Sequence, residues 1–352
     1  MSTITELLSE LQAQNATKLD LVAPTQKITL WGADPAAQSR MLIDLNEGVG
    51  EYGIRDHAHR QIADALDIPG RFYDSLRGRH PDLHRDLANG LLTREPKKRM
   101  IRTVGGDVRA FLSDRYQRRD NWDLLEHLTP ILASYPDVHF KKCDLTETRM
   151  YVKVFLPGLE RQITPKVGDV VRGGVIISNS EVGAGALMIA PYTDRLICLN
   201  GMVHTDFGKR AVHLGGRISV EEEAFELYSD ETKRIDDAAF FAKCADVLRA
   251  CLNEVVFDSI VQQMRDLTGV RMPGSPVEQV KVLGKTQGFT EDEQASILTH
   301  LIEGGDLSGW AWVNAMTRTA RDLPDADRQT EIEVLAGRLT SNPADLVKAV
   351  GA

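Results

Sequence analysis

No two of the four cysteines, Cys143, Cys198, Cys244 and Cys251, are spaced as C-x-x-C, so the chain encodes neither a zinc ribbon nor a thioredoxin-type dithiol. No stretch is apolar for about eighteen residues, so no transmembrane helix is expected. The opening M-S-T-I-T-E-L-L-S-E has no basic flank and no long apolar core, unlike a signal peptide. The expectation is a cytoplasmic protein with reduced thiols and no membrane partner. Catalytic signatures are also missing. There is no G-x-S-x-G elbow and no G-K-[ST] phosphate loop, and Gly183 and Gly185 lack the third glycine of a dinucleotide fingerprint. No cofactor is expected. Internal repeats and low-complexity tracts are absent as well.

What is present is the composition of a globular chain, 42% hydrophobic and 26% charged over 352 residues. The net charge of −9 hides an uneven distribution. Lys and Arg against Asp and Glu number 5 to 10 in residues 1–70, 24 to 17 in 71–217, and 13 to 24 in 218–352. A basic middle thus lies between acidic ends, the kind of local asymmetry that marks an electrostatic footprint.

The chain is organised around residues 168–201. Apolar runs at 175–177, 186–189 and 196–199 read as buried strands. A small-residue turn, 178–185, separates the first two, and Pro191-Tyr192-Thr193-Asp194 separates the last two. The turn reads as a tight connection that permits close backbone approach, with polar side chains capping its neighbours. Asn200-Gly201 reads as a further turn. Before this segment, residues 4–14 predict a helix, and 28–31 and 41–45 predict strands. Helical stripes on either side of Ile68-Pro69-Gly70 fit a helix-turn-helix or an ordinary helical hairpin. Another helix is expected over 83–92. Residues 100–104 and 108–112 predict a hairpin about Gly105-Gly106. A helix capped by Asp120 or Asn121 and a second hairpin, 139–142 with 150–155, follow. After Ser219, a candidate cap, the pattern is helical, with helices expected at 292–302, 310–320, 329–339 and 343–350. The fold class is therefore α+β: a mixed or antiparallel sheet domain with flanking helices and an all-helical C-terminal region. The expected divisions are 1–92, 93–218 and 219–352.

Four phrases carry a resemblance: V-R-A-F-L-S-D-R-Y followed by Asp120-Asn121, G-D-V-V-R-G-G-V-I-I-S-N-S-E-V-G-A-G-A, L-I-C-L-N-G-M-V, and W-A-W-V-N-A-M-T. Together and in this order they resemble the phage- and plasmid-like proteins of domain-of-unknown-function family 932, over roughly residues 54–339. The resemblance implies a mobile-element setting and brings no catalytic residues. In layout the chain is also similar to phage single-strand annealing proteins.

The predicted site lies on the two hairpins. Arg94, Lys97, Lys98, Arg99, Arg102, Arg109, Arg115, Arg118 and Arg119 fall between residues 94 and 119, with Tyr116 among them. Strand alternation would place some of these cations on one face, where they could neutralise phosphates while Tyr116 stacks on a base. Lys141, Lys142, Arg149 and Lys153 would extend the track. The leading expectation is a non-catalytic protein that binds single-stranded DNA and anneals strands in recombination, as a homo-oligomer. One alternative is a structural or partner-binding protein working through its acidic helices. In that region Trp310 and Trp312 read as core, and its acids could pack on, or compete for, the basic middle of a neighbouring subunit. A second alternative is a metal-dependent hydrolase or nuclease using Glu181 with Asp169 or Asp194. Cys198, His204, Asp206 and His213 are too irregularly spaced to predict a metal site.

Overall fold

The computed structural model describes residues 3–32, 39–45, 48–94, 96–165, 169–197, 199–211, 230–272 and 274–351. Its first helix, α1 (Ile4–Asn15), begins at a Thr3–Glu6 capping box and buries Leu7 and Leu11. Strands β1 (Leu19–Pro24) and β2 (Ile28–Trp31) follow, separated by a single 3-10 turn over Thr25–Lys27. Then come β3 (Arg40–Leu45), β4 (Gly48–Ile54), α2 (Asp56–Ala65), α3 (Gly70–Arg79), α4 (Pro81–Arg94), β5 (Lys98–Val104) and β6 (Asp107–Ser113). The strands form one sheet in the order β1-β5-β6-β4-β3-β2, so it draws on both sides of residue 93. Only the β4–β6 pair is parallel.

The two outer strands of that order are joined by three residues. Laid flat, six strands would hold their edges about 24 Å apart. Four Cα–Cα steps from Pro24 to Ile28 reach at most about 15 Å. The sheet must therefore roll until its edges meet, with β1 and β2 as two halves of one bent strand. Ile28, Leu30, Met41, Ile43, Ile101, Val108 and Phe111 fill its core with Ala58 and Ile62 of α2. Gly105 and Gly106 turn the β5–β6 hairpin at φ 59° and 87°, as predicted.

The second sheet contains β7 (His139–Leu145), β8 (Met150–Gln162), β9 (Val170–Asn179), β10 (Leu187–Arg195) and β11 (Asn200–Val203), antiparallel in the order β11-β10-β9-β8-β7. A short β12 (Lys209–Ala211) pairs with the start of β10. Helix α5 (Asn121–Ala133) precedes this sheet, with Asp120 at its N-cap. Three expectations need correction here. Pro191-Tyr192-Thr193-Asp194 lies inside β10 and is no break. Pro191 sits between the β12-paired and β11-paired parts of that edge, and its carbonyl accepts the His204 N–H. In an antiparallel strand a residue's N–H and C=O point to the same side, so the missing donor costs the β9 ladder nothing. The third strand, expected over 196–199, begins instead at Asn200. Leu199 supplies the left-handed turn residue, φ 51°, and Asn200-Gly201 is extended.

Among the described residues seven helices follow: α6 (Asp230–Cys251), α7 (Glu254–Gly269), α8 (Pro276–Gln287), α9 (Glu291–Gly304), α10 (Gly309–Asp322), α11 (Ala326–Ser341) and α12 (Pro343–Ala349). One face of the second sheet packs into the main core with α1, α5, α6, α7 and α10, where Trp310 and Trp312 are buried. The other face, with Tyr151, Phe155, Ile176 and Tyr192, meets α11 through Ala326 and Val334. The sheet is thus covered on both sides. The fold is α+β, with one mixed sheet, one antiparallel sheet and a helical C-terminal region. Among the described residues no helix is long and apolar enough to cross a membrane. Cys198, His213, the Ser219 cap and the acidic run that follows it lie outside the described residues.

Candidate functional site

The small-residue turn between β9 and β10 is the plug that joins the two sheets. Tyr116 Oη donates to the Ser180 carbonyl at 2.9 Å, and Arg102 Nη1 donates to the Glu181 carbonyl at 2.9 Å. Gln61 Nε2, from α2, donates to the Val182 carbonyl at 2.7 Å. Arg149 Nη2 donates to the Ala184 carbonyl. Ser180 Oγ accepts from the Val182 and Ala184 N–H groups and so caps its own turn, not the neighbouring strands that the sequence suggested. Gly183 has φ 75°, and a Cβ there would lie 2.6 Å from the Leu112 side chain. Only glycine can let the turn approach β6 this closely.

Glu181 is the centre of the junction. Its carboxylate accepts from Lys18 Nζ at 2.8 Å, the Asn121 N–H at 2.7 Å and Arg109 Nη1 at 2.5 Å. Arg102, fully buried, holds Asp20 through Nε (2.8 Å) and Nη2 (3.1 Å), and Asp120 through Nη2 (2.7 Å). Three cations, Lys18, Arg102 and Arg109, thus face three carboxylates, Asp20, Asp120 and Glu181. Burial penalises the charge on Asp120, but Arg102 and Lys18 outweigh it, and its carboxyl lies below the ordinary value.

A second buried network lies on the α11 side of the second sheet. Lys153 Nζ donates to Glu333 at 2.6 Å, and Tyr192 Oη donates to the same carboxylate at 3.3 Å. Lys141 pairs with Asp194. Burial pushes the Asp194 carboxyl up and the Lys141 ammonium down. Asp327, in the first turn of α11, accepts from Tyr151 Oη and Thr148 Oγ1. Acids of the helical region therefore meet cations of the basic middle of their own chain, not the contact between subunits expected from the sequence.

The fourteen predicted residues do not come together. Arg102, Arg109, Tyr116 and Lys153 are buried. Arg99, Arg119, Lys141, Lys142 and Arg149 are half-buried. Arg99 lies over Phe111, Arg119 over Phe240, and Lys142 binds Asp144 and Gln329. Only Arg94, Lys97, Lys98, Arg115 and Arg118 are exposed. The alternation argument assumed that one sheet face is in water. Here Arg102, Arg109 and Arg149 bind at the plug, whereas Lys142 and Lys153 bind α11, so the cations enter separate interior networks. A polynucleotide cannot reach Arg102, Arg109 or Lys153, and Tyr116 has no free face for a base.

The carboxylates of the hydrolase alternative are likewise held apart. Glu181 binds Lys18 and Arg109, Asp194 binds Lys141, and Asp169 binds Arg195 Nε at 2.6 Å and Thr164 Oγ1 at 2.6 Å. His204 is buried on the Thr193 hydroxyl, and burial pushes its imidazole down to about 3. Among the described residues no three His, Cys, Asp or Glu side chains are placed to hold a metal ion. Sequence reasoning missed Lys18, Asp20, Asp327 and Glu333. Their partners lie up to 180 residues away, and no local pattern announces them.

Beside the plug a cleft of about 30 Å³ opens between the two sheets. Arg55, Arg109 and Arg149 line it, with Asn121, Thr146 and Thr148. The chain matches no family model, no curated protein and no solved structure.

Proposed function

We propose that the protein is a non-catalytic nucleic-acid-binding protein that holds single-stranded DNA by its phosphates. The contact is the cationic end of the first sheet, a footprint of five side chains in place of fourteen. The observation that carries this reading is the exposure there of Arg94, Lys97, Lys98 and Arg115, with Arg118 next along the chain. Lys98 pairs with Pro24 at the start of β5, the Lys97 carbonyl accepts the Thr25 N–H, and Arg99 faces Ser113 at the end of β6. Arg94 closes α4 and Arg115 follows β6, so four cations stand at one end of the hairpin. With no base-stacking tyrosine, the contact is sequence-independent and weak. Backbone-only contact leaves the bases free to pair, which is what annealing requires. The resemblance to phage- and plasmid-like proteins supports the reading by setting alone.

Five phosphate contacts on a single strand correspond to a log–log salt slope of about −3.5. Fluorescence anisotropy of a labelled oligonucleotide, titrated with salt, measures it. The triple variant Lys97→Gln, Lys98→Gln, Arg115→Gln should lose about two units of that slope and at least tenfold in affinity. These side chains are exposed, so the fold should be unaffected. No binding at low salt, or a triple variant that binds like the parent, refutes the reading.

A further inference from the structure

We propose that the cleft beside Glu181 is a binding site for a phosphate group. The assignment rests on Arg109. Its side chain, 5% exposed, lines the cleft from β6, and its Nη1 is engaged by Glu181. Its Nε and Nη2 make no hydrogen bond to the protein. These two nitrogens share one edge of the guanidinium, the edge that grips an oxyanion through two parallel N–H bonds. A buried donor left without a partner is costly, and here two adjacent donors of a residue that lines the cleft are left so.

The surroundings fit an anion with oxygens in several directions. Arg55, at the N-cap of α2, and Arg149, the residue before β8, line the cleft as well. Arg149 spends Nη2 on the Ala184 carbonyl, and Arg55 lies 3.7 Å from Asp107. Two carboxylates line the same space. Glu181 is already matched by Lys18, Arg109 and the Asn121 N–H. Glu147, exposed at the rim, accepts weakly from the His57 N–H at 3.4 Å. Three arginines against two acids leave a net positive cleft. A flat carboxylate would use one guanidinium edge, whereas a tetrahedral phosphate can use donors from all three sides. The volume exceeds the roughly 10–15 Å³ that one water needs, so it admits phosphate oxygens and excludes a whole nucleotide. A phosphate monoester would enter head-first, its remainder outside. The cleft is at the Val104 end of the hairpin, opposite the Lys98 end, so the assignment stands apart from the DNA-binding reading.

Calorimetry and thermal unfolding with inorganic phosphate test it, against chloride and acetate at equal ionic strength. Phosphate should bind saturably and raise the unfolding temperature; chloride and acetate should not. Arg109→Lys keeps a cation for Glu181 and removes the two-pronged edge, so phosphate affinity should fall about tenfold or more. Should Arg109→Lys fail to fold, Glu147→Gln decides. It removes an exposed negative charge at the rim, and phosphate affinity should rise several-fold. An equal response to acetate overturns the phosphate assignment. No saturable response, or unchanged affinity in Arg109→Lys or Glu147→Gln, overturns the site. A monoester arm, comparing a 5′-phosphorylated with an unphosphorylated oligonucleotide in the triple variant defective at the other end, separates free phosphate from an ester. Either source supports the site.

Discussion

Two buried ion networks hold this molecule together, and they differ in how completely their charges are matched. Around Glu333, Lys153 finds one carboxylate and Lys141 finds another. Around Glu181, the Arg109 guanidinium keeps two N–H groups over. The first network is closed and reads as structural glue between sheet and helix. The second keeps unmatched donors, and a cleft lies beside it. They also differ in chemistry. A lysine deprived of its carboxylate can release a proton, whereas an arginine stays charged at any pH the fold survives.

The largest expected effect exploits that difference. Glu181→Ala strands Arg109 and removes partners from Lys18 and the Asn121 N–H, while Glu333→Ala strands Lys153 and takes a longer, weaker contact from Tyr192 Oη. Breaking a buried pair costs about 3–5 kcal/mol, and Glu181→Ala should lie at the top of that range with Glu333→Ala below it. Urea unfolding at pH 7 measures both. If the two variants lose the same stability, the networks are not distinct in the way argued here.

A smaller effect comes from one histidine in each region. His59, bonded to Tyr73 in the first region, and His204, under the second sheet, are both held neutral by burial, at about 3. In the unfolded chain each takes a proton near 6.5. The unfolded state therefore binds more protons as pH falls, and stability present above 6.5 is lost between 6.5 and 3. At pH 5 the loss is about 2 kcal/mol per histidine. Urea midpoints at pH 7.5 and 5.0 measure the sum, and His204→Gln should remove about half of it. Further acidification separates the networks by sign. The lowered Asp120 carboxyl loses its contribution as pH drops below its unfolded value near 3.8. The raised Asp194 carboxyl favours the folded state in acid, an advantage lost as pH rises through its folded value.

The sequence displayed local structure well and burial poorly. Gly105-Gly106 announced its hairpin because that turn needs two positive φ angles, which glycine supplies freely. The C-terminal helices announced themselves by period, and the 178–185 turn by its small residues. Pro191 misled because a proline usually ends a strand; the gap between two partner strands that tolerates it is a tertiary fact. The cations misled for a related reason. Alternation tells which residues share a face, and says nothing of whether that face meets water, a second sheet or a helix. Glu181 was visible as an isolated carboxylate in a tight turn, but its cations come from positions 18 and 109.

The smallest effect separates inside from outside on a single carboxylate. Asp20 accepts from both Arg102 and Arg118. The Arg102 side chain is fully buried and donates twice, at 2.8 and 3.1 Å; that of Arg118 is 61% exposed and donates once, at 3.4 Å. Solvent screens the outer pair, and holding a long side chain in place offsets much of what remains. Arg118→Ala should therefore cost under about 1 kcal/mol in urea unfolding. It should still weaken oligonucleotide binding, because an exposed cation is the kind a phosphate can reach. A costly Arg118→Ala with unchanged binding would put Arg118 in the junction network and take it out of the footprint. The reverse outcome would draw the border between structural and functional charge through one aspartate.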